Sequence, residues 1–220
     1  MQLIGMLDSP YVRRVAISLQ LLELPFEHRP LSVFRAYEEF RHINPLVKVP
    51  TLICDDGTVL VESTLILDYA EALTQGGRTL MPRALPQRLR ALRRIGLALV
   101  ACEKSVQIIY ERNLRPPEKQ HEPWIGRVSA QLQAAYQELE AELGAQALRA
   151  DASIDQAGIS TAVAWQFTQQ MLPEVVPAST CPLLAAFSAS AEALPPFRAA
   201  PHGPGTYRQG SDSAGTASVR

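Results

Sequence analysis

Residues 48–63 read KVPTLICDDGTVLVES, and the reading of the whole chain works outward from this run. Val49 precedes Pro50, so it is pushed toward extended geometry beside a residue with no backbone donor, which leaves the main chain of Val49 open. The apolar, partly β-branched runs 51–54 and 58–61 flank Asp55-Asp56-Gly57, residues that tolerate a hairpin turn, and so predict strand, turn and strand. Glu62 and Ser63 stand directly before Leu65, Ile66, Leu67, Tyr69 and Ala70. Ser63 is therefore the expected N-cap of an amphipathic helix whose free N–H groups favour an anion. An extended backbone facing open space, beside a helix start with a serine and a carboxylate, suits a short zwitterionic peptide. Val49 would give it main-chain bonds, Ser63 would take a carboxylate and Glu62 an ammonium.

Before this stretch, residues 2–6 read as a short strand, and Ser9-Pro10 as a cap and first position of a helix carrying Val12, Val15, Ala16, Leu19 and Leu22 at helical spacing. Arg13, Arg14 and Gln20 fill the other face of that pattern. A strand at 26–30 and a weak helix at 36–42 follow, which gives the order β-α-β-α-β-β-α and favours a parallel opening pair.

At these residues the chain resembles the glutathione S-transferase superfamily, whose thioredoxin-like first domain carries K-V-P followed by E-S at the start of its third helix. The resemblance covers residues 1–200. It implies a cis Val49-Pro50 bond, main-chain pairing of Val49 with the cysteinyl unit of glutathione, and Glu62 and Ser63 on its γ-glutamyl end. It further implies Lys48 on the glycine carboxylate. S-P-Y-V-R-R-V at 9–15 is similar to the S-P-F-x-x-R-V opening of serine-type members such as the tau class, where omega-type members have cysteine. Ser9 is thus the candidate catalytic residue, a hydroxyl donor to a glutathione thiolate. No histidine and aspartate are arranged around it as a triad.

The third helix fades at Gly76-Gly77, and prolines punctuate the chain to Pro86. The expected organisation is a glutathione-binding domain at 1–77, a linker at 78–86, an all-helical domain at 87–200, and a disordered tail at 201–220 rich in Gly, Ser, Thr and Pro. Within the helical part, 88–113 and 124–143 keep apolar spacing, Ser153-Ile154-Asp155-Gln156 has the form of a capping box, and a further helix runs over 182–193. Tyr11, Cys102, Val106 and Tyr110 are the expected wall of a second pocket, for an electrophile, between the two domains.

Composition bounds the alternatives. The chain has 220 residues, 47% hydrophobic and 20% charged, with a formal net charge of -1, which argues against a dedicated nucleic-acid binder. No apolar run has the length of a membrane span, and residues 2–6 are too short for a signal-peptide core, so a cytoplasmic location is the expectation. Cys54, Cys102 and Cys181 are too scattered for a zinc site or disulfide framework, and His28, His42, His121 and His202 have no ligand spacing. No metal is expected.

The leading expectation is a glutathione transferase with glutathione as co-substrate, acting on small hydrophobic electrophiles as a homodimer, the dimer being implied by the resemblance alone. Glutathione-dependent isomerases, dehalogenases and lyases share the fold, and a non-catalytic interaction module is a third reading.

Overall fold

The structure, a computed structural model, describes residues 1–207. Four strands, β1 (Gln2–Ile4), β2 (Glu27–Arg29), β3 (Thr51–Ile53) and β4 (Val59–Val61), form one sheet in the order β2-β1-β3-β4. β1 pairs parallel with β2, Leu3 opposite His28, and antiparallel with β3, Leu3 opposite Leu52; β4 closes the hairpin around Asp55-Asp56-Gly57. Helices α1 (Pro10–Leu21), α2 (Tyr37–Ile43) and α3 (Ser63–Leu73) complete a thioredoxin-like domain. The remainder is helical: α4 (Leu85–Leu114), α5 (Glu122–Ala145), α6 (Gln156–Met171), α7 (Pro182–Glu192) and α8 (Pro195–Ala199).

α1 is the hinge of the packing. It touches α3 on its own side and both α6 and α8 on the other. Each fully buried leucine or isoleucine along it contributes about 1.5–3 kcal/mol, and Val12, Val15, Ile17 and Leu19 are all at 0% exposure. Burial extends to the polar face of α1 as well, where Arg13 and Arg14 are 1% and 2% exposed. Arg13 donates to both carboxylate oxygens of Glu192, at 2.7 and 2.6 Å, and from Nε to Ala200 O at 2.7 Å. It also lies over the Phe197 ring, 5.7 Å from its centroid. Helical periodicity marks these two positions as polar, but the second layer of helices meets them with partners.

Three local expectations are corrected. Ser63 is the first residue of α3, not its cap; Glu62, at φ 71°, is the cap and its carboxylate accepts from Thr64 N at 3.0 Å. The capping box at 153–156 does not form, because Asp155 caps α6 by accepting from Gly158 N at 2.8 Å. Gln156 is drawn away from that end: its N–H donates to Leu80 O at 2.9 Å and its side chain accepts from Ser18 Oγ at 3.0 Å, joining α6 to α1. Pro195-Pro196 opens α8 inside the helical part, where Phe197 and Ala200 are wholly buried. Residues 201–207, grouped by composition with the tail, lie against β2, where Tyr207 stacks on Phe26; the rest of the 201–220 expectation falls outside the described residues.

Candidate functional site

Val49–Pro50 is a cis bond, and Val49 and Val12 of α1 both flank Gly5. Neither the N–H nor the C=O of Val49 has a hydrogen-bond partner among the described residues, so its main chain is open to an incoming one. The turn leading to it is held by Asn44, whose amide donates to Thr51 Oγ1 at 2.9 Å while Thr51 donates to Lys48 O at 2.6 Å. Lys48 itself is exposed on the rim.

Ser9 caps α1, with φ -75° and ψ 122°, and its Oγ accepts from Val12 N at 3.4 Å. A hydroxyl engaged as an acceptor still has its proton to give. Ser9 is half-buried and lines an interdomain cleft of about 390 Å³, at the positive end of α1. Capping and donation are therefore compatible on one oxygen.

Beneath this end of the sheet lies a buried polar network. Arg14 Nη1 donates to Ser63 Oγ at 3.1 Å and Thr64 Oγ1 at 3.4 Å, and Ser63 Oγ donates to Glu62 Oε1 at 3.3 Å. Burial lowers the Arg14 guanidinium to about 10, countered by Cys102, Glu62 and Tyr11 nearby. Arg14 Nε is buried with no partner among the described residues. In α3 the first helical bond is Ile66 N to Glu62 O at 3.0 Å, so only Thr64 of the preceding N–H groups is satisfied by Glu62. Ser63 and the Glu62 carboxylate thus stand at a helix start with donors and an acceptor together.

The opposite wall is apolar. Val106, Ile109 and Tyr110 of α4, Phe167 and Met171 of α6, and Leu31, Val33 and Phe34 of the loop before α2 face Met6, Ser9, Tyr11, Val47 and Val49. The Tyr110 and Phe34 rings meet edge to face at 5.7 Å across the mouth. Burial pushes the Tyr11 phenol well up, so it is a neutral wall residue. Asp8 also lines the cleft, its carboxyl raised by burial against the opposing pull of His202 and Arg35.

Among the sequence candidates the cleft gathers Ser9, Tyr11, Lys48, Val49, Val106 and Tyr110. Pro50, Glu62 and Ser63 do not line it; they lie past Val49, at the network end. Cys102, expected at the pocket wall, is corrected: it is 3% exposed inside the core, and burial pushes its thiol up to about 12. Arg14, Asp8, Phe34 and Phe167 were not among the candidates. Arg14 had a signal, since it occupies the R of the S-P-Y-V-R-R-V pattern. Among the described residues no cluster of His, Cys, Asp or Glu has the geometry of a metal site, and no helix is long and apolar enough to cross a membrane.

The family model described as glutathione S-transferase, N-terminal domain, matches residues 3–78. The chain is similar to a glutathione transferase family member from Pseudomonas fluorescens Pf-5, solved with bound S-(propanoic acid)-glutathione: 32% identity, 91% of this chain and 98% of that one, TM-score 0.74. It is also similar to a glutathione S-transferase from Methylobacterium radiotolerans in complex with glutathione sulfonate, at 27% identity over 90% of this chain and 92% of that one, TM-score 0.81. Among curated proteins it is 34% identical over 82 residues to a probable maleylacetoacetate isomerase 2 of Drosophila melanogaster, a match spanning 35% of each chain.

Proposed function

This chain belongs to the glutathione S-transferase superfamily, and on that footing we propose that it binds glutathione along Val49 and ionises its thiol beside Ser9 for attack on a small hydrophobic electrophile. Lys48 takes the glycine carboxylate, the open main chain of Val49 pairs with the cysteinyl unit, and Ser63 and Glu62 hold the carboxylate and ammonium of the γ-glutamyl end. The observation that carries the reading is the meeting of a capping serine with a spare proton and an unpaired stretch of backbone in one apolar cleft.

The energy required is modest. A thiol of pKa about 8.5 is about 3% thiolate at pH 7; lowering it to about 6.5 makes it roughly three-quarters ionised and needs about 2.7 kcal/mol. One charge-assisted bond from the Ser9 hydroxyl contributes about 1.5–3 kcal/mol, and the positive end of α1 adds to it. The thiolate sulfur then forms a bond to an electrophilic carbon. The leaving group departs with its electron pair, or, in an addition, the carbanion takes a proton from solvent.

Titrating glutathione into wild type and Ser9→Ala by calorimetry, while following thiolate absorbance against pH, tests this. Both should bind with similar affinity, only wild type should lower the thiol pKa, and Ser9→Ala should lose about ten- to a hundredfold in conjugation. Absence of binding to folded wild type would sink the glutathione reading and turn the search to protein partners, the non-catalytic alternative.

The similarity to an isomerase supports a second reading, in which glutathione adds to the substrate and is expelled again unchanged. Recovery of free glutathione after turnover distinguishes this from conjugation. A homodimer belongs to the same proposal: exposed Leu85, Leu89 and Leu92 share one face of α4, and Leu65 is exposed on α3.

A further inference from the structure

The segment after α8 returns to the sheet and reaches the loop that carries Ser9. Tyr207 stacks on Phe26 with ring centroids 4.7 Å apart, and its backbone N–H donates to His28 Nδ1 at 2.9 Å. A backbone N–H can only donate, so Nδ1 is the accepting nitrogen and the neutral ring carries its proton on Nε2. That Nε2–H donates to Gly5 O at 2.7 Å. Thr206 Oγ1 lies 3.0 Å from the same Nδ1 and donates to His28 O at 3.4 Å.

Gly5 is the point where the two halves of the site touch. Its φ is +135°, which disfavours any side chain, and a Cβ there would lie 2.6 Å from Val12 Cγ2 and 2.9 Å from Val49 Cγ1. A displacement of Gly5 is therefore passed to Val49 on one side and to the cap of α1 on the other. The same returning segment brings His202 against the Phe167 ring and beside Asp8, both of which line the cleft.

We infer that His28 is a positioning residue for the site: with its tautomer fixed by the Tyr207 N–H, it holds the Gly5 carbonyl and so sets where Val49 and Ser9 stand. The inference rests on the reading of that site as one for glutathione. Protonation would put a hydrogen on Nδ1, facing the Tyr207 donor, and release the returning segment. Burial, partly offset by the Gly5 carbonyl, lowers the His28 imidazole below its ordinary 6.5. The neutral latch therefore holds at pH 7, and is lost as pH falls through that lowered value. The charged and titratable groups around the ring are Glu27, the Met1 amine paired with Asp55, and the Tyr207 phenol. Burial and the Gly5 carbonyl, not these groups, set the balance. His202, also lowered by burial, titrates beside Asp8 and Glu192 near Arg13.

The test uses the full chain and S-methylglutathione, whose blocked thiol removes thiolate ionisation from the titration. His28→Phe should bind it about three- to tenfold more weakly at neutral pH. His28→Gln, whose amide can donate to Gly5 and accept from Tyr207, should stay within about twofold of wild type. Tyr207→Pro, which removes the backbone donor without touching His28, should reproduce the loss, and Tyr207→Phe should not. Between about pH 8 and pH 5 wild-type affinity should fall, and His28→Gln should lack the His28 share of that fall. Amide exchange at residues 5–9 should quicken in His28→Phe and Tyr207→Pro. Unchanged binding and exchange in Tyr207→Pro, whatever becomes of the folding of His28→Phe, overturns the inference. Failure of wild type to bind overturns the glutathione reading instead, while the exchange contrast still decides whether His28 positions the loop.

Discussion

One wall of the site, where α1, the turn at 44–50 and, past the cleft, the start of α3 come together, is backbone and buried polar side chain; the other, the cleft face built by α4, α6 and the loop before α2, is apolar side chain half in water. On the first, Ser63 is 1% exposed and Arg14 2%. On the second, Phe34 is 57% exposed, Tyr110 44% and Met171 41%. The polar wall is held by bonds between residues far apart in sequence, as Arg14 to Ser63, so each of its groups has one permitted position. The apolar wall is held by contacts that other side chains of similar size can make. One wall is suited to a fixed partner and the other to a variable one.

The contrast can be broken most severely at Arg14. A buried ion is weak evidence for stability, but removing one member of a buried polar network leaves its partners unpaired, at about 1–3 kcal/mol for each buried group. Arg14→Met should therefore lower the melting temperature, and glutathione affinity should fall by about thirtyfold or more, as Ser63 and Glu62 lose their support. Retained affinity would mean that the polar wall stands without its guanidinium.

A smaller effect sharpens the other side. Phe34→Ala and Tyr110→Ala each remove one ring of an aromatic pair worth about 0.5–1.5 kcal/mol beyond its buried area. KM for an apolar aromatic electrophile should rise about three- to tenfold in either variant, with glutathione binding measured by calorimetry unchanged. Equal losses for both substrates would show that the walls are not independent. Smallest of all is the effect expected at Cys102. With its thiol pushed up to about 12 and its side chain in the core, it should resist alkylation at neutral pH in the native protein, as mass spectrometry can show. Cys102→Ala should change turnover by less than about twofold.

Much of the polar wall was legible in residues 48–63, because a proline, a turn and a capped helix leave local marks in sequence. The order of strands and helices followed from the same local marks. What escaped has distant causes. Arg14 stands in a pattern that reads as amphipathic, and periodicity cannot know that a second helical layer will cover the polar side. Gln156 was assigned to a cap three residues away, yet Ser18 and Leu80 draw it into the domain interface. Cys102, Val106 and Tyr110 lie four apart, but each such step turns the helix by about 40°. A stripe that begins in the core at Cys102 therefore reaches the cleft only by Val106 and Tyr110. Phe34 and Phe167 come from a loop and a buried helix whose aim no spacing encodes.

The clasp at Arg13 sets a clock on the making of this protein. Its partners Glu192 and Ala200 are 179 and 187 residues further along the chain. At about 5–20 residues per second, a ribosome delivers them roughly ten to forty seconds after Arg13 has left the tunnel. Through that interval α1 exposes both an apolar flank and an unmatched guanidinium. The helix that starts the site is synthesised long before the partners that finish it.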